Sequence, residues 1–194
     1  MKSRPPVPIR LFPPLASASL SGLICGSQVL LTGMVLLARD TALRRIAEEI
    51  ENGKALPFSL EGAVLFFGGF TPPPPGRTVG SIGPTTSRRM TPSALFLLKA
   101  GVKGMIGKGK WSPEVVSAIR ETGAVYFGAT GGAAAFLSRS VRSLSFRMVA
   151  DPGQEAPALL EVVDLPLIVA VDPKGNDLFE QGRRKFIKGT DQGQ

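Results

Sequence analysis

Short apolar runs alternate with segments of helical spacing along this chain, and a proline, glycine or small polar residue marks nearly every junction. Residues 28–32 and 34–38 read as two buried strand-like pieces separated by Gly33. Asp40 then suits the N-cap of a helix in which Leu43, Ile46, Ala47 and Ile50 recur on one face, closed by Asn52-Gly53. Residues 63–67 read as a strand ending at Gly68-Gly69, followed by a stiff connector over residues 72–75, all proline. Thr91 and Pro92 fit the N-cap and first position of a helix that runs through Ala100 and stops at Gly101, and Ser112-Pro113 repeat the device for a helix ending near Gly123. Residues 102–106 and 124–127 read as strands, the latter leading through Gly131-Gly132 into a helix of small residues, and residues 141–150, 159–163 and 167–171 supply later strands. The order predicts an α/β fold with mixed strand connections. No internal repeat and no break in composition divides the chain, so residues 1–194 are read as one domain.

Composition narrows the chemistry more than the fold. The 194 residues include no histidine and one cysteine, Cys25. A Ser-His-Asp triad, a Cys-His pair, a zinc site and a cysteine-held iron–sulfur cluster therefore cannot be assembled from this chain alone, and no metal ligand set is predicted in it. A single cysteine also excludes an intrachain disulfide, in keeping with a cytoplasmic location. The uncharged stretch over residues 15–38 follows a basic start with Lys2, Arg4 and Arg10, the outline of a signal or membrane segment. Its interior argues otherwise: serines, glycines, Gln28 and Thr32 interrupt it, and Pro5, Pro6 and Pro8 crowd its approach. No membrane contact is expected.

The formal net charge is +8, and its distribution is uneven. Between Gly62 and Pro113 there is no acidic residue, while Arg77, Arg88, Arg89, Lys99, Lys103, Lys108 and Lys110 all fall there, so an anion-binding surface is expected from this stretch. A second basic group, Arg183, Arg184, Lys185 and Lys188, reads as a solvated chain end with no site. Within the acid-free stretch, Gly80-Ser-Ile-Gly-Pro-Thr-Thr-Ser-Arg-Arg-Met90 offers hydroxyl donors at Thr85 and Thr86 and guanidinium groups at Arg88 and Arg89 that can grip a planar carboxylate. Spacing alone equally permits a capped turn with solvated arginines. Lys108 lies between two glycines at the end of a strand. Residues 104–110 satisfy a phosphate-loop spacing, but Trp111 stands where a serine or threonine must hold magnesium, so nucleotide hydrolysis is set aside. Arg39-Asp40 opens a helix after an apolar strand, as a cap or as part of a site.

Five segments in order resemble one family. Leu31-Thr-Gly-Met-Val-Leu-Leu-Ala-Arg-Asp40, the glycine loop 80–90, Gly101-Val-Lys-Gly-Met-Ile-Gly-Lys-Gly109, Ala129-Thr-Gly-Gly-Ala-Ala-Ala135 and Ile168-Val-Ala-Val-Asp-Pro-Lys-Gly-Asn176 resemble the β subunit of class I fumarate hydratase and of L-tartrate dehydratase, over roughly residues 10–180. The resemblance implies a single α/β domain of the swivelling β/β/α type with a mixed sheet flanked by helices. It implies a partner α subunit holding a [4Fe-4S] cluster whose open iron binds the substrate's hydroxyl and carboxylate, joined to this chain as an αβ dimer of dimers. It assigns Arg39, Thr86, Arg89 and Lys108 to a dicarboxylate clamp and Thr85 to proton transfer at carbon; as supporting residues beside them, Asp40 is read as steering Arg39 or, preferably, capping the helix, and Arg88 as altering substrate choice or facing solvent. This sequence departs from the family in having Thr41-Ala-Leu43 where a histidine usually follows Ala-Arg-Asp, and Arg88 where relatives often have a smaller residue.

Tartrate or a methylated fumarate such as mesaconate would use the same clamp as fumarate. The +8 charge also raises a nucleic-acid-binding module, but with one tryptophan and one tyrosine the aromatic interleaving for base stacking is thin, and no nucleic acid partner is expected. A stand-alone structural protein would leave the basic loops unused.

Overall fold

The computed structural model describes residues 7–146, 157–184 and 186–187. Its elements run in the order β1 (Ile9–Leu11), α1 (Ser17–Leu20), β2 (Gln28–Ala38), α2 (Asp40–Glu51), β3 (Val64–Phe70), β4 (Ile82–Pro84), a 3-10 turn (Ser87–Met90), α3 (Thr91–Lys99), β5 (Gly104–Gly107), α4 (Pro113–Thr122), β6 (Val125–Gly128), α5 (Ala134–Leu137), β7 (Val141–Phe146), β8 (Ala158–Val171) and α6 (Leu178–Arg184). Strands β1, β2, β3, β5 and β6 are parallel neighbours. The long β8 runs antiparallel to both β6 and β2, which closes β2, β3, β5, β6 and β8 into a five-stranded barrel, with β7 paired to β8 and β4 paired to β3 at the margins.

Alternation along each strand divides the apolar residues between two cores. Val35 and Leu37, Val64 and Phe66, Ile106, Val125 and Phe127 point into the barrel with Leu160, Val162 and Val169 of β8. The intervening Leu36 and Ala38, Leu65 and Phe67, Met105 and Tyr126 face outward, where Leu43 and Ile46 of α2, Leu97 and Leu98 of α3, and Val115 and Ile119 of α4 cover them. Each fully buried Leu, Ile or Phe here contributes roughly 1.5–3 kcal/mol. The sheet therefore has no solvent-facing side where these helices lie, and the expected mixed sheet flanked by helices is what the chain forms.

Several boundaries differ from the sequence expectation. The two pieces expected around Gly33 are one strand. Gly33 adopts φ +137 at an irregularity in the β2–β8 register, with Pro13 packed against the place where a Cβ would stand, so the glycine bends β2 without ending it. The two late strands are likewise one, β8, kinked at Asp164, whose φ is +51 and whose N–H donates to the Thr32 hydroxyl at 2.9 Å. The kinks face each other across the β2–β8 pairing, between Leu31–Leu165 and Gly33–Val162. β3 continues through Gly68-Gly69 because both pair with β4. The helix of small residues is a single turn, α5.

Helix starts also shift. Arg39, in extended conformation, holds the N-cap position of α2, and Asp40, expected as the cap, is its first helical residue. An acid there still favours the helix dipole. Thr91 is not a cap either: the 3-10 turn precedes it, Met90 takes that position, and the Thr91 hydroxyl donates back to the Arg88 carbonyl at 2.9 Å. Ser112, Pro113 and the left-handed Gly123 bracket α4 as the sequence predicts. Arg183 and Arg184 close α6, while Lys185, Lys188 and residues 147–150 of the expected strand lie outside the described residues. No helix among the described residues is long and apolar enough to cross a membrane.

Candidate active site

Parallel strands leave their C-terminal ends on one rim, which is where α/β sheets characteristically present loops to ligands. Register places the ends of β2, β3, β5 and β6 side by side: Ala38 pairs with Phe67, Phe66 with Ile106, and Gly107 with Gly128. The residues that follow on this rim are Arg39, Gly68-Gly69, Lys108 and residues 129–131. The loop leaving β4 is threaded between two of them. Thr85 N–H donates to the Phe67 carbonyl at 2.8 Å, and its carbonyl accepts from Lys108 N–H at 3.2 Å. Thr86 forms a parallel bridge with Lys108, whose carbonyl accepts from Ser87 N–H at 3.0 Å. The two segments that the sequence singled out separately, 85–89 and 108, are thus one structural unit.

The side chains converge in part. Arg89 Nη2 donates to Thr85 Oγ1 at 2.8 Å and stands 3.6 Å from Asp40 Oδ2. The Arg39 guanidinium lies over Gly69, where a Cβ would come within 3.4 Å of Nη1. The Lys108 stem lies over Gly131, with Cδ 3.7 Å from the corresponding position, leaving the ammonium exposed. Thr86 is exposed on the same rim. Arg88 is placed differently: its charge acts on Glu114 at the start of α4, whose carboxyl is held below the usual range first by the Ser112 hydroxyl and to a lesser degree by Arg88. Of the residues expected at the site, Thr85 and Asp40 each meet Arg89, Thr86 and Lys108 share a backbone bridge, Arg39 flanks them, and Arg88 is exposed.

Beneath the rim lies support that sequence reading missed. Ser87, fully buried, pairs its hydroxyl with Tyr126 Oη at 2.9 Å, and Tyr126 donates in turn to the Gly109 carbonyl at 2.9 Å. Burial raises the phenol pKa, which keeps Tyr126 protonated as the donor. Gly107 is required for this: a Cβ there would stand 2.2 Å from Ser87 Oγ. Trp111 closes the layer, edge-on to Phe67 at 5.4 Å and to Tyr126 at 5.7 Å between centroids. A glycine before a lysine at a strand end and a lone tyrosine in an apolar run were the only signals available in the sequence.

The rim is open. A cavity of about 560 Å³ lined by Lys110, Trp111, Asp177 and Glu180, and one of about 250 Å³ lined by Gly128, Thr130, Phe136 and Ile168, include none of Arg39, Thr85, Thr86, Arg89 or Lys108. An iron–sulfur cluster does not fit this chain's own residues. Cys25 is the only cysteine, its thiol donates to the Asn176 carbonyl at 2.8 Å, and burial pushes its pKa to about 11, far from the thiolate that ligation needs. Among the described residues no group of three His, Cys, Asp or Glu side chains is gathered to hold a metal ion.

Fold and site together define a barrel-cored α/β domain whose parallel-strand ends carry a hydroxyl and cationic side chains suited to a small carboxylate. A family model described as Fumarase C-terminus matches residues 2–182, and the chain belongs to that family. It is 39% identical over 153 residues to a mitochondrial fumarate hydratase 1 of Leishmania major, covering 78% of this chain and 28% of the relative. It is 36% identical over 167 residues to the aerobic class I fumarate hydratase of Escherichia coli K12, covering 84% and 30%. The chain therefore spans under a third of the length of these fumarate hydratases. It is also 33% identical over 187 residues to a putative L(+)-tartrate dehydratase subunit beta of Methanocaldococcus jannaschii, covering 91% of this chain and 94% of the relative.

Proposed function

We propose that this chain is the substrate-holding β subunit of a two-part hydro-lyase that reversibly hydrates fumarate to (S)-malate. The observation that carries the reading is the Arg89–Thr85 hydrogen bond on a rim where Arg39 and Lys108 also stand. A dicarboxylate brings two negative charges and a carbon whose proton must be moved. Arg39, Arg89 and Lys108 are the cations that neutralise the charges, and Thr86 adds a hydroxyl donor. Thr85 is the group at the reacting carbon. A threonine hydroxyl is a weak base at its ordinary pKa, so the role requires cationic neighbours such as Arg39 and a carboxylate from a partner.

The near end-to-end match with a tartrate dehydratase β subunit, and the match to only part of the fumarate hydratases, support a chain that works beside a second subunit. In this account the α subunit holds the [4Fe-4S] cluster, and the domain is of the swivelling β/β/α type. The assembly is a cytoplasmic αβ dimer of dimers, inactive without α. L-Tartrate dehydration is the second reading, favoured by the length of the tartrate relatives.

Arg89→Ala and Lys108→Ala test the clamp in the assembled enzyme. Each removes a charge-assisted contact of about 1.5–3 kcal/mol, which lowers kcat/KM about ten- to a hundredfold. Both side chains are exposed, so the circular dichroism stays unchanged. Near-normal kinetics for both variants contradict the clamp.

A further inference from the structure

Asp40 sits in the first turn of α2, one residue past the N-cap position that Arg39 holds. Its carboxylate reaches across the rim to Arg89. Both contacts of Arg89 use the same nitrogen: Nη2 donates to Thr85 Oγ1 at 2.8 Å and lies 3.6 Å from Asp40 Oδ2. The arginine itself is loosely held, with its side chain 58% exposed on a short 3-10 turn. The acid-free run from Gly62 to Pro113 offers it no countercharge from its own segment. Asp40 supplies that charge from a different element, on a backbone fixed by the 12-residue α2.

We propose that Asp40 is a positioning residue that keeps Arg89 Nη2 on Thr85 Oγ1 while the rest of the guanidinium remains available to a substrate carboxylate. The proposal rests on the clamp reading above. A planar guanidinium presents donors along more than one edge, so one arginine serves both partners only if something fixes its rotation. Without Asp40, an incoming carboxylate draws the whole group away from Thr85. The hydroxyl then loses the donor that stabilises its deprotonated form. Substrate binding survives that loss and turnover does not.

The test is Asp40→Asn, with Asp40→Glu as the conservative rescue, in the assembled enzyme. The expected result is kcat down about tenfold, with KM unchanged or lower, and recovery toward the parent in Asp40→Glu. A residue that merely supported the helix would lower the melting temperature and leave this split absent. A second readout needs no partner: nitrogen-15 NMR of the full chain, following rotation of the Arg89 guanidinium. Rotation is restricted in the parent and freed in Asp40→Asn and in Thr85→Val. Equal rotation in parent and Asp40→Asn overturns the proposal, as does an unchanged kcat or a rise in KM alone. An Arg89→Ala enzyme with normal turnover, beside restricted Arg89 rotation in the parent, overturns the clamp reading and leaves the Asp40–Arg89 contact standing.

Discussion

Thr85 is fixed at three of its polar groups. Its N–H is held by Phe67, its carbonyl by Lys108, and one lone pair of its hydroxyl by Arg89. What remains is the hydroxyl proton and a second lone pair, which is the inventory that a proton-transfer group needs. Thr85→Ser preserves all of these, whereas Thr85→Val keeps the shape and removes the hydroxyl. The account predicts a serine enzyme within a few-fold of the parent and a valine enzyme reduced about 10²–10⁴-fold in kcat, the usual worth of a positioned general base. Steady-state kinetics on the two variants checks this, and an active Thr85→Val enzyme removes Thr85 from the chemistry.

The site depends on a β5–β6 edge that tolerates no added bulk. Gly107→Ala places a methyl 2.2 Å from the buried Ser87 hydroxyl, between the 85–87 loop and the Tyr126 ring. Overpacking of this kind costs about 1–3 kcal/mol, and its strain falls on the segment that carries Thr85 and Arg89. Thermal unfolding is expected to drop by several degrees, with activity lost beyond the stability change; an unaffected melting temperature contradicts the packing described. The elements differ in how far they were legible. Ser112-Pro113 and Gly123 revealed α4 because caps and stops are local events. Gly33 and the Asp164 region suggested breaks because such residues usually interrupt strands. That the two irregularities face each other and leave β2 and β8 continuous is a long-range fact of register, which no local pattern carries. The Ser87–Tyr126 pair, 39 residues apart, was hidden for the same reason. Asp40 reads as a cap from its place before the helical pattern, whereas Arg39 takes that position and the Asp40 carboxylate meets Arg89 of another element. The clamp candidates themselves were legible, since basic residues without acidic neighbours, set beside glycines and hydroxyls, stand out in the chain.

At the scale of the molecule, the barrel is a base that brings the ends of its parallel strands, with their cations and the hydroxyls of Thr85 and Thr86, to one rim. Its two cores lie on either side of the sheet and contain few charged groups. Among the described residues, Asp172 and Asp177 are the buried acids, and both are spent on local backbone and amide hydrogen bonds around residues 172–180. Asp40 is the acid placed on the rim, where it meets Arg89; in the proposed account the carboxylate that activates Thr85 and the cluster come from a partner. The central claim is therefore half an active site, and the most direct measurement is anaerobic capture of the tagged chain from its native cells, followed by iron analysis and hydration assays with fumarate, L-tartrate and mesaconate. The account predicts an iron-bearing partner and hydro-lyase activity in the captured complex, highest with fumarate. Recovery of the chain alone, free of iron and inactive on all three substrates, would contradict it.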